Sequence, residues 1–247
     1  MKFDLRRTVF DTFVNPMLRL LLLALLFPVL AQAQDKPAKR TCRILFLNPP
    51  PDAPKKLFLH DGVESQEIDL PQMNFSDVYQ VAGGDTTIRL LPKPVVKIEE
   101  IPAGAPAGKL AAALVDFYLI VSTDPANAVV PVRLQIIDAG AEKFRKGQMM
   151  WYNLTTHAIG GQLGSQKLAM KAQSREVTDA PTADAGPYDV NLSYLIVGDP
   201  QFHPISQTKW VHDPRSRMGM YVYGGANNTA PQISGFKDFR DAPEKSE

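Results

Sequence analysis

Beyond residue 41 the apolar positions fall in short runs broken by clusters of Gly, Pro, Asp and Asn, the spacing of strands joined by turns rather than of helices. In the first run Cys42, Ile44 and Phe46 alternate with Arg43, Leu45 and Leu47. A strand apolar on both sides is expected to be covered on both faces or nearly so. Asn48 and the prolines at 49–51 end it, because proline offers no ladder donor and fixes φ near about −65°. Residues 56–60 make a second strand, and Ile68 with Leu70 belongs to a third. A two-residue Asp61-Gly62 turn would set Leu57 opposite Gln66, whereas a four-residue loop over 61–64 sets Leu57 opposite Ile68. The longer loop pairs apolar residues and is the expected one.

Further strands are expected over 78–81, 86–91, 116–122, 129–137, 149–154, 167–171, 188–197 and 218–223. Residues 95–101 read as a short apolar stretch after Pro92 and Pro94, 102–108 as structureless, and 110–115 as compatible with a helix start. No long capped 3.6-period segment follows residue 41, so the class expected is an all-β sandwich or barrel. RILFLN at 43–48 is similar to MMWYN at 149–153, and each is followed some 70 residues later by a comparable strand, FYLIV at Phe117 and MYVY at Met220. Two related sandwich units, 42–125 and 126–236, and one larger sandwich both stay open.

Residues 1–33 have the layout of a secretory signal peptide: Lys2, Arg6, Arg7 and Arg19, an apolar run over 20–30, and Ala31-Gln32-Ala33. The run is too short for about 30 Å of hydrocarbon, and Pro28 interrupts it. Export to the periplasm or cell surface is therefore expected, with no spanning segment after cleavage. Residues 34–41 read as a flexible arm and 237–247 as a frayed, disordered tail. Four of the 27 basic and two of the 26 acidic residues precede residue 34, leaving 23 against 24. A near-neutral chain without a basic cluster argues against nucleic acid as a partner. Cys42, the single cysteine, rules out an internal disulfide and reads as a small buried hydrophobe.

Arg43, Pro51-Asp52-Ala53-Pro54 and Asp61-Gly62, with Phe75, Tyr79 and Ala82-Gly83 beyond, carry a resemblance to a family of secreted bacterial proteins known as a domain of unknown function. Its members open R-V-x-x-x-x-S-P-D-A-P-x-V-D-V-Y-x-D-G. Pro50 stands where that pattern has serine and Lys56 where it has aspartate. The resemblance spans about 50 residues and implies an immunoglobulin-like sandwich, with no activity attached.

Candidate chemistry is sparse. Residues 160–167, GGQLGSQK, lack the ending of a phosphate loop and read as a hairpin or bulge. Asp199, His203 and His212 form a candidate metal set, and together with Asp213 a candidate hydrolase site; His60-Asp61 and His212-Asp213 each read as a strand end starting a turn. Trp151, Trp210, Tyr221 and Tyr223 are either core residues or an exposed platform for sugar rings or a partner chain. Asn74, Asn153 and Asn227 sit in N-x-[ST] triplets. The expected function is non-catalytic binding or scaffolding of an envelope protein or glycan, without catalytic, cofactor or metal residues. The alternatives are a carbohydrate-binding module using the strand aromatics and a secreted hydrolase with the Asp/His site.

Overall fold

Residues 39–196, 198–224 and 230–239 are described by a computed structural model. The expected signal peptide, most of the arm, Asn227 and residues 240–247 lie outside them.

The strands form four four-stranded sheets. Sheet I is β3 (Ser65–Asp69), β2 (Lys56–His60), β5 (Thr86–Leu91) and β6 (Ala107–Leu110). Sheet II is β4 (Tyr79–Val81), β1 (Arg40–Phe46), β7 (Asp116–Thr123) and β8 (Val132–Asp138). Sheet III is β12 (Ser174–Thr178), β9 (Met149–Asn153), β15 (Arg217–Tyr223) and β16 (Gln232–Asp238). Sheet IV is β11 (Gln166–Met170), β10 (Ala158–Leu163), β13 (Gly186–Leu195) and β14 (Phe202–His212). Every pairing is antiparallel except β1 with β7 and β9 with β15.

The second half thus repeats the first strand for strand. Sheets II and I have the orders 4-1-7-8 and 3-2-5-6; sheets III and IV have the same orders counted from β9. RILFLN and MMWYN fall on or beside the equivalent strands β1 and β9, and FYLIV and MYVY on β7 and β15. The chain is an all-β sandwich protein, but its order differs from the ABED and CFG sheets of the constant-type immunoglobulin domain. The boundary expected between 125 and 126 falls inside the β7–β8 hairpin, so β8 belongs with the first half.

Three cores layer the sheets. Ile44, Leu59, Leu90 and Leu119 pack between sheets I and II. Leu45, Tyr118, Tyr152 and Tyr221 pack between II and III, and Trp151, Leu168, Val190 and Met220 between III and IV. Sheets II and III are therefore covered on both faces, which is why all five residues of β9 and residues 117–121 of β7 are buried. In outer sheet IV, Tyr188, Val190 and Leu192 of β13 point inward while Asp189 and Asn191 face solvent. Each large apolar side chain taken fully from water contributes about 1.5–3 kcal/mol.

The loop over 61–64 sets Leu57 opposite Ile68, the apolar register. Asp61 ties this loop down: its carboxylate accepts from the backbone N–H groups of Val63, Glu64 and Ala82 at 3.0, 3.0 and 2.8 Å. Ala53, in the PDAP corner, packs on the first core.

Several expectations need correction. Arg40 and Thr41 belong to β1 rather than to the arm; Arg40 is buried because its guanidinium donates to the carbonyls of Ala111 and Gly84. Residues 98–100 are a 3-10 turn, β6 begins inside the stretch read as structureless, and the alanines after Leu110 form a turn closed by Leu114 N–H to Ala111 O at 3.0 Å. Lys237 and Asp238 are not tail but the end of β16, and Asp238 is fully buried. No helix among the described residues is long and apolar enough to cross a membrane.

Candidate functional site

The four candidate aromatics do not form one surface. Trp151 is 0% exposed and Tyr221 1%, because successive residues of a strand in sheet III face two different cores. Trp151 stacks on half-buried Trp210 at 6.2 Å and 17°, with Tyr188 edge-on to Trp210 at 6.4 Å. Tyr221 stacks on Tyr152 at 5.4 Å in the core on the other side. Tyr223 is half-exposed at an opening, its hydroxyl 2.9 Å from Ser234 Oγ.

The Asp/His set does not converge either. His203 Nε2 lies 2.9 Å from Asp199 Oδ2, but His212 ends the same strand nine positions on, about 30 Å away at 3.3 Å per residue. His212 is buried, which lowers its pKa and favours the neutral ring. Asp213 is taken up by Arg215 at 3.0 and 3.1 Å, which holds its carboxyl down at about 2. Among the described residues no group of three or more His, Cys, Asp or Glu could hold a metal ion. His60 Nδ1 accepts from Gly62 N–H at 3.1 Å, a turn contact.

Residues 160–167 run through the β10–β11 hairpin. Gly161, at φ 148, has its Cβ position 1.9 Å from Asn191 O, so only glycine lets β10 approach β13 there. Asn153 is buried, its amide donating to His157 O and Lys171 O at 2.7 and 2.8 Å, so its glycosylation triplet is inaccessible; Asn74 is exposed. Cys42 is buried in the first core.

The densest polar cluster lies between sheets II and III. Asp238 accepts from Arg43 Nη1 at 2.8 Å, from Arg217 Nη2 at 2.7 Å and from the Tyr118 hydroxyl. Arg217 also donates to Ala139 O and Phe144 O at 2.6 and 3.1 Å and lies over the Phe144 ring at 5.2 Å. Burial raises the Tyr118 pKa well above its ordinary value, partly offset by Arg217. With Asp238 at 0% exposure and Arg217 at 4%, no substrate reaches these groups. Their chemistry is that of a clamp, joining Arg43 and Tyr118 of the first half to Arg217 and Asp238 of the second. Local patterning gives no hint of it, because the partners are up to 195 positions apart.

A small cleft of about 150 Å³ opens at this junction beside Asp138, Lys143, Arg175 and Glu176, and two larger ones open with it. One, of about 310 Å³, lies where the end of β1 meets β16, with Asn48, Gln72, Tyr223 and Ser234 in its wall. The other, of about 380 Å³, lies where the end of β9 meets β8, with Arg133, Gln135, Tyr152, Gln173 and Arg175 in its wall. β9 is the equivalent of β1 and β8 of β16, so the two clefts occupy equivalent places in the duplicated fold. The only signal of the second was the polar side of residues 129–137, where Arg133 and Gln135 alternate with apolar residues. No protein-family model matches this chain, and no match to it is found among curated proteins.

Proposed function

We propose that the chain is an exported, non-catalytic protein that works by binding or scaffolding in the cell envelope, and that the outer edge of β14 is where a partner chain pairs. The observation that carries this is the strand itself: eleven residues, mostly exposed, paired among the described strands with β13 alone. An unpaired edge of that length is a template for an added strand, the main chain supplying affinity and alternate side chains specificity.

Every other edge strand is shorter than β14, β8 and β16 having seven residues and β11 five. β4 has three residues and β6 four, β3 carries Glu67 and Asp69, and β12 carries Arg175 and Glu176. Within β14, Pro204 and the register shift opposite Leu192 and Ser193 blunt the first part. Pairing is therefore assigned to residues 206–212, where Gln207, Thr208, Lys209 and Val211 are exposed.

A photo-cross-linking residue at Gln207, with one at Glu67 of β3 as control, tests this in cells. The expected result is an adduct with one envelope protein from Gln207 and none from Glu67. Successive residues send their N–H groups to opposite sides of a strand, so of Gln207→Pro and Thr208→Pro one spares the β13 ladder. That variant should keep its thermal unfolding and lose the adduct. Equal adducts from both positions, or an adduct that survives in the folded proline variant, would overturn the assignment.

A further inference from the structure

We infer that the cleft between β8 and the β9–β12 edge is a binding site for a sugar acid, a small carboxylate with neighbouring hydroxyl groups, independent of any pairing at β14. The inference begins from the comparison the duplicated fold provides. The equivalent cleft at β16 closes the same junction with no charged side chain in its wall. Two arginines are therefore not needed to seal such a place, yet Arg133 and Arg175 both line this one.

Neither guanidinium is within ion-pair distance of a carboxylate among the described residues. Arg133 uses Nε to bond Ser122 Oγ at 2.9 Å, which fixes the group and leaves its two Nη atoms without a partner there. Arg175 stands opposite Tyr152 in the β9–β12 ladder, and its charge offsets part of the rise that burial imposes on the Tyr152 pKa. The nearby Asp138 is held by Lys143. A pair of planar, always-charged forks is the arrangement that takes a carboxylate.

The rest of the wall says what else the ligand carries. Gln135 and Gln173 are exposed, and their side-chain amides have no partner among the described residues. Gln173 is placed by a left-handed turn at φ 50, secured by its N–H to Thr155 O at 3.1 Å. An amide both donates and accepts. A sugar hydroxyl matches both roles, whereas phosphate, which mainly accepts, leaves the amide oxygens unmatched. A cavity of about 380 Å³ lies in the range of small-ligand sites. An acidic peptide, whose backbone N–H and C=O groups also meet both roles, is the competing ligand that the titration below separates.

Calorimetric titration of the whole exported chain with D-glucuronate, D-glucose, inorganic phosphate and triglutamate tests the assignment. Saturable glucuronate binding in the millimolar range or tighter is expected, with glucose weaker by at least about tenfold. Arg133→Gln and Arg175→Gln should each weaken glucuronate by a similar factor while thermal unfolding is kept. Should Arg175→Gln unfold through its contact with Tyr152, Arg133→Gln combined with Gln135→Ala carries the same reading. The inference is overturned by absent glucuronate saturation, by unchanged affinity in the folded variants, or by tighter binding of phosphate or triglutamate.

Discussion

Asp238→Ala removes the carboxylate that receives Arg43, Arg217 and Tyr118. Arg217 stays where it is, because its Nη1 remains bonded to Ala139 O and Phe144 O. The result is a guanidinium 4% exposed with its principal counter-charge gone. Breaking a buried ion pair from one side costs about 3–5 kcal/mol. For a chain of this size about 1 kcal/mol moves the midpoint by about 2–4 °C, so a fall of roughly 6–20 °C is expected. Asp238→Asn, which keeps the shape and loses the charge, should fall between. Urea unfolding followed by tryptophan fluorescence measures the loss, with Lys56→Ala as a surface control, since that lysine's pairs with Glu67 and Asp69 are exposed on both sides. If Asp238→Ala costs less than about 1 kcal/mol, the scale of a surface pair, the clamp reasoning is refuted.

Gly161→Ala should cost at least about 2 kcal/mol, combining the positive φ with the Asn191 carbonyl at 1.9 Å; Gly186→Ala, at φ 146 with nothing within 4 Å, should cost less, and equal losses by urea unfolding would remove the close-approach argument. Trp151→Ala, wholly buried, should lose about 3–5 kcal/mol and half-buried Trp210→Ala clearly less, an order that the same unfolding experiment checks. Burial pushes Tyr152 and Tyr188 up to about 12 from an ordinary 10.0, so above pH 10 the unfolded chain binds fewer protons than the folded one. Stability should then be full below pH 10 and fall as the pH rises toward about 12, by about 2–3 kcal/mol from Tyr152. Tyrosinate absorbance and unfolding midpoints across that interval test it, and a flat midpoint contradicts it.

What the sequence revealed depended on how each strand is covered. The 61–64 loop was legible because a single shift of register would have opposed Leu57 to Gln66 instead of Ile68. β10 was not legible, because Gly160 and Gly161 leave too few side chains to show a period. β14 escaped because an edge strand needs no apolar alternation and tolerates Pro204. In β9, Trp151 was open to two readings, a core residue or part of an exposed platform; sheet III lies between two cores, so Trp151 and Tyr152 are both interior and no polar side marks the strand. The Asp238 clamp is assembled from β1, β7, β15 and β16, and nothing adjacent in the sequence records such a meeting. The Arg133 and Arg175 cleft was half visible, as the polar side of β8, but its other wall comes from a strand absent from the expected set.

The repeated strand order has one more consequence. Sheets II and III meet as equivalent surfaces of two like units, with β1 beside β16 and β9 beside β8, which is the arrangement of a twofold dimer written into one polypeptide. A dimer of identical chains must carry the same groove twice, since any substitution appears on both sides. Joining the copies lifts that constraint, and here the two grooves have parted, one neutral around Tyr223 and the other cationic around Arg133 and Arg175. Two like halves in one chain can thus hold grooves of different chemistry, which a symmetric pair of identical chains cannot.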